Sequence, residues 1–163
     1  MDKLKDKVWW AYLEEDLQEL LITSFLLDRE VRGWKQKIHD YSFVVFPAAK
    51  AYEGFLKKLF FDLKFIDQSE YLGKRFRVGK ALNPQLEKKY RKESVYLKIV
   101  KYCQGEDLAD KLWMTWKSCR NLLFHWFPNE KNVIDENEAS QRLLTIIDAI
   151  DSAFTECRVD TAG

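Results

Sequence analysis

Six glycines and three prolines are all that interrupt 163 residues, and this scarcity of breakers constrains the fold more than any other feature. A many-stranded protein needs frequent turns, usually built on Gly, Pro, Asn or Asp. Here long uninterrupted stretches remain, and they carry helical periodicity. Leu13, Leu17, Leu20, Leu21 and Phe25 recur on one face with Glu14, Glu15, Asp16 and Glu19 between them, which predicts a helix from Val8 to about Arg29. Gly33 marks a break. A second helix is expected from about Tyr41 to Ile66, with Pro47 either opening a new first turn or kinking it. In "NPQLEKKY", Asn83 as N-cap and Pro84 at the first helical position predict a third helix running to about Cys103. The stripe Leu108, Leu112, Trp116, Cys119 and Leu123 predicts a fourth from Asp107 to about Trp126, ended by Pro128. Asp135 and Glu138 have the spacing of a capping box. The fifth helix after it has Ala139, Leu143, Ile146, Ile147, Ile150 and Phe154 on one face. Between the second and third helices, Asp67 to Asn83 reads as a long connection holding Gly73, Gly79 and four cations, and connections of that length are usually functional or mobile. The expected architecture is one all-α domain over residues 1–163, an up-and-down bundle of about five helices with its core at about 8–157.

The net charge of +1 points neither to bulk nucleic-acid binding nor away from a local patch. From Lys74 to Lys101 there are ten Lys/Arg against two acids, which leaves +8 over 28 residues. That segment reads either as a phosphate-tracking surface or as a solvated helix face with a mobile loop. Cys103, Cys119 and Cys157 have no short spacing, so neither a zinc motif nor a disulfide framework is expected; the odd count fits a reducing, cytoplasmic setting. "VWWAYLEEDLQELLITSFLL" is too interrupted by acids to span a membrane. No set of His, Cys and carboxylates has metal-ligand spacing, and no cofactor is expected.

The chemistry-bearing stretch is "SCRNLLFHWFP", residues 118–128, which sets Arg120 and His125 five positions apart near a helix end. On an ideal helix five residues advance about 7.5 Å and turn about 140°, so the two side chains do not share a ridge. A cation and an imidazole suit phosphoryl chemistry: the guanidinium offers forked donors to phosphate oxygens, and an imidazole exchanges protons near neutral pH. Chance spacing in a crowded helix end is the competing explanation.

"RNLLFH" resembles the signature of the HEPN superfamily: Arg, a polar residue that is often Asn, three or four further residues, then His. The family places it near a helix end in a bundle of this size, and the resemblance covers most of residues 8–157. "FPAAKAYEGFLKKLFF" is similar to the region of the RNase LS toxin branch where a basic residue precedes a glutamate by three. Lys50 and Glu53 occupy those positions, with Lys50 where the branch has Arg, so charge is kept and the bidentate fork lost. Several HEPN toxins carry a modifiable Tyr two residues after the motif His; this chain has Phe127. The resemblance implies a metal-independent endoribonuclease acting as a homodimer, with motif helices meeting across a two-fold axis. Arg120, His125 and Glu53 would be catalytic, and Lys50, Asn121 and Trp126 would contact substrate RNA. It leaves the setting open among toxin–antitoxin, CRISPR-linked and phage defence, and allows an antitoxin or other regulatory protein as partner.

Each of these residues has a plainer reading. Lys50 and Glu53 suit an ordinary surface i, i+3 pair. Glu53 lies in the apolar run Phe55, Leu56, Leu59, Phe60, so partial burial and a partner are expected, and Arg120 is the obvious one. Trp126 either stacks on a base or, the favoured reading, belongs to the core or a dimer interface. Cys119 sits on the apolar stripe as a structural residue rather than a nucleophile for His125. His39 has no partner in sequence and is assigned no role. Two rival functions remain: a non-catalytic bundle binding RNA, nucleotide or protein, and a helical adaptor whose six Trp mark a partner surface.

Overall fold

The computed structural model describes residues 2–87, 89–90, 94–126, 128 and 132–156. Among them every regular element is helical. The five helices of nine residues or more are α2 (Glu15–Val31), α3 (Ser42–Asp62), α6 (Val95–Cys103), α7 (Asp107–Trp116) and α8 (Glu136–Glu156), and with the shorter α1 (Asp2–Lys5), α4 (Gln68–Leu72) and α5 (Val78–Ala81) they make an all-α bundle. Of the residues read above, Phe127 and Cys157 lie outside the described ones, as do Lys88, Arg91, Lys92 and Glu93 of the basic segment.

The first long helix starts later than its periodicity predicts. After α1 (Asp2–Lys5) the chain makes a 3-10 turn at Trp10–Tyr12 and an extended step at Leu13, and only then enters α2 (Glu15–Val31). The cause is tertiary. Trp9 and Leu13 are each drawn into the core, while Trp9 Nε1 and Lys7 Nζ both donate to the Asp151 carboxylate on the last helix.

Helix α3 (Ser42–Asp62) continues through Pro47. Proline supplies no N–H and its ring opens the turn behind it. The next N–H, that of Ala48, donates to Ser24 Oγ of α2 at 2.8 Å, inside the core. A buried serine on α2 therefore completes a helix that is not its own. α3 ends at Asp62, short of the expected Ile66, with Lys64 in the left-handed region.

The expected long connection is folded. Asp67 and Glu70 form a capping box that starts α4 (Gln68–Leu72), and α5 (Val78–Ala81) is pinned by buried Val78 and Ala81. Conversely, the helix expected from Asn83 does not form there. The Asn83 side chain accepts from the Gln85 N–H in a local turn, and Ser94 caps α6 (Val95–Cys103) instead.

Helix α7 (Asp107–Trp116) and α8 (Glu136–Glu156) follow the expected stripes: Leu108, Leu112, Trp116, Cys119 and Leu123 are buried, as is the whole expected α8 face. The capping box is present, with the Asp135 N–H donating to Glu138 and the Glu138 N–H donating back to Asp135. α3 packs on α2, α7 and α8, α8 also touches α2 and α7, and α6 flanks α7. No helix of the described residues is long and apolar enough to cross a membrane.

Candidate functional site

α7 does not continue to Trp126 as an α-helix. Lys117–Asn121 form a π turn, closed by the Leu122 N–H donating to Lys117 O five residues back at 2.9 Å, and residues 122–124 are turn. Such one-turn expansions of a helix are concentrated at functional sites. The ideal-helix angle of 140° therefore does not describe Arg120 and His125. They open onto different recesses.

Arg120 sits on the π turn. Its Nε donates to Glu53 Oε2 at 3.1 Å, and its guanidinium carbon lies 5.6 Å from the Trp116 ring centroid. The expected Arg120–Glu53 pairing is thus formed, and Glu53 serves Arg120 rather than a surface pair with Lys50. Both side chains are about one-third exposed, 37% and 34%, so the pair is solvent-screened and its worth lies in orientation more than in stability. Around it is a recess of about 130 Å³ lined by Glu53, Arg77, Val78, Gly79, Lys80, Trp116 and Arg120.

His125 lies past the turn, exposed, in a separate cleft of about 610 Å³. That cleft also contains His39, Asp40, Trp126 and Asn132. The connection between α7 and α8 is what brings His39 there. The Tyr41 N–H donates to Ile134 O at 2.9 Å, the Ile134 N–H to Asp40 Oδ1 at 3.3 Å, and Asn132 Nδ2 to His125 O at 3.3 Å. The two histidines of the sequence thus line one cleft, and His39 is a site candidate that sequence reasoning passed over.

The remaining expected site residues are dispersed. Trp126 is 82% exposed, which overturns the core reading and leaves its ring open to a partner or a base. Lys50 is exposed on α3 and Asn121 half-buried at the end of the π turn; neither lines the two recesses above. Cys119 is buried, and burial pushes its thiol above the ordinary value, the opposite of what a nucleophile needs. Trp9 and Trp116 are buried too, so the six Trp do not form one partner surface. Among the described residues no group of three or more His, Cys, Asp or Glu is placed to hold a metal ion.

Arg77 and Lys80 were visible only as part of a basic segment, yet both reach the Arg120 recess. The local signal was Gly79 between them. A Cβ at Gly79 would stand 2.0 Å from Cη2 of Trp116, so only glycine lets α5 lie flat on that indole. The chain matched none of the family models, curated proteins or solved structures with which it was compared.

Proposed function

We propose that the chain is a metal-independent endoribonuclease of HEPN type, cutting single-stranded RNA to 2′,3′-cyclic phosphate and 5′-hydroxyl ends. The observation that carries this reading is the pair of imidazoles, His125 and His39, in one open cleft beside exposed Trp126. Transphosphorylation needs one group to take the 2′-hydroxyl proton and another to return a proton to the leaving 5′-oxygen, and imidazoles do both near neutral pH. His125 is the base. His39 is the acid that sequence alone did not supply. The 2′-oxygen forms a bond to phosphorus as the bond to the 5′-oxygen breaks, and Trp126 offers a stacking face to a neighbouring base.

Arg120 is the cation for the charge that develops on the phosphate, oriented by Glu53. Within one chain it opens onto a different recess from His125. In the proposed homodimer the second copy's motif approaches across a two-fold axis, and Arg120 of one chain serves the histidines of the other. The deciding assay uses labelled single-stranded RNA in chelator with wild type, His125→Ala, His39→Ala and Arg120→Ala. Cleavage by wild type with cyclic-phosphate ends, reduced at least 100-fold by His125→Ala, is expected of general acid–base catalysis. Equal cleavage by wild type and all the variants, or none by any, removes the proposal.

A second reading is favoured by the Arg120–Glu53 bond and by the separation of Arg120 from His125: a non-catalytic HEPN-like bundle that binds RNA, nucleotide or a protein partner. Binding of RNA without cleavage in the same assay selects it.

A further inference from the structure

The basic connection and the motif arginine meet in one place. The recess of about 130 Å³ beneath Arg120 shares Arg77 and Lys80 with a larger cleft of about 530 Å³, lined also by Lys74, Arg75, Phe76 and Leu86. The two cavities are therefore neighbours across α5. The small one brings three cations, Arg77, Lys80 and Arg120, around one carboxylate, Glu53, which Arg120 already neutralises. The large one brings Lys74, Arg75, Arg77 and Lys80 together, with Glu70 as its acid, and Glu70 is engaged in the cap of α4.

Both cavities are built rather than incidental. α5 is held by buried Val78 and Ala81 and by Gly79 against Trp116. The Arg77 Nη1 donates to the carbonyls of Lys74 and Phe76, at 2.7 and 3.3 Å, which sets its guanidinium and leaves further donors on the same fork. Lys80 Nζ rests 4.0 Å from the Tyr90 ring centroid. Trp116 lines the small recess, and Gly79 lies against its six-membered ring.

We infer that this is a nucleotide-binding subsite: a phosphate in the recess among Arg77, Lys80 and Arg120, and its nucleoside in the adjoining cleft against Phe76 and Leu86. The recess of about 130 Å³ is large enough for a phosphate. The cleft of 530 Å³ lies within the usual range for small-molecule sites. The nucleotide can be a unit of an RNA strand or free. The inference deepens the ribonuclease reading, on which cleavage of the bound strand rests; binding itself does not depend on it.

The experiment is equilibrium binding to the full chain carrying His125→Ala, so that turnover does not consume the probe. Its probes are a fluorescent single-stranded RNA oligomer, a nucleoside triphosphate and inorganic phosphate. The double variant Arg77→Glu/Lys80→Glu is expected to weaken nucleotide-unit binding at least tenfold. With RNA it should also lower the slope of log K against log salt by about 1.4, for two lost phosphate contacts at about 0.7 each on a single strand. Lys3→Glu/Lys35→Glu makes the same charge change at exposed lysines elsewhere and should leave binding within twofold. Loss confined to RNA identifies the strand as the source, and loss with the triphosphate identifies a free nucleotide. Equal affinity of the two double variants for every probe, or no binding of RNA and triphosphate at all, overturns the inference. RNA bound through Arg77 and Lys80 but left uncut by wild type would end the ribonuclease reading and keep the subsite. Cleavage untouched by Arg77→Glu/Lys80→Glu, with RNA affinity unchanged, would do the reverse.

Discussion

Arg120 shows how a single side chain is positioned by several weak contacts. Its guanidinium bonds Glu53 and lies over Trp116, and both contacts are partly open to water. A double-mutant cycle of Glu53→Gln and Arg120→Gln in urea should therefore return a coupling of about 0.5 kcal/mol, and at most about 1 kcal/mol, the range for screened pairs. A coupling several times larger would mean that the pair is a structural strut rather than a positioning device. Catalysis would respond differently. Glu53→Gln should lower the cleavage rate more than Glu53→Asp, since the shorter carboxylate keeps the charge that aims Arg120.

Elements in this bundle are finished by their neighbours, which is why sequence reading located them better than it bounded them. Ser24 and Pro47 are the clearest case. Ser24→Ala strands the buried Ala48 N–H and should cost about 1–3 kcal/mol in chemical denaturation. Combined with Pro47→Ala the loss should shrink, because a regular helix turn returns that N–H to a backbone carbonyl. Equal losses in both backgrounds would show that the serine acts only by packing. The α6–α7 junction has its own signature. Burial and the bond to Asp110 raise the Tyr96 hydroxyl from 10.0 to about 12. The folded state thus prefers neutral Tyr96, its contribution is complete below pH 10, and stability falls as pH rises from about 10 toward 12. Urea midpoints measured across that window should drop, and less steeply in Tyr96→Phe; a flat profile counts against the bond.

The helical stripes of α7 and α8 and the capping box at Asp135 were legible because local pattern and tertiary burial agree there. The starts of α2 and α6 were not, because Asp151 takes Trp9 and Lys7 from afar and because Asn83 closes a local turn while Ser94 caps α6. The site divides the same way. The Arg120–Glu53 contact was readable from the charge of one residue and the apolar setting of the other. His39 beside His125, and Arg77 and Lys80 beside Arg120, depend on loop closure and on one glycine, and carry no spacing to read.

At the scale of the whole molecule, the separation of Arg120 from His125 makes the oligomer the unit of activity in the proposed mechanism. Mixing inactive Arg120→Ala and His125→Ala chains, after partial unfolding and refolding together, should restore cleavage, since each mixed dimer holds one complete set. No recovery in mixed dimers confirmed by mass would place both residues' work within one chain. The π turn bears on this in a further way. It is a one-residue surplus over an ordinary helix, and the turn that carries it holds buried Cys119 beside the arginine. Deleting Ser118, with α7 held by its stripe, would rewind the turn and carry Arg120 into the register that Cys119 now fills, inside the core, where a cation is costly. The length of the chain at this point, and not only the identity of the residue, keeps the guanidinium within reach of solvent.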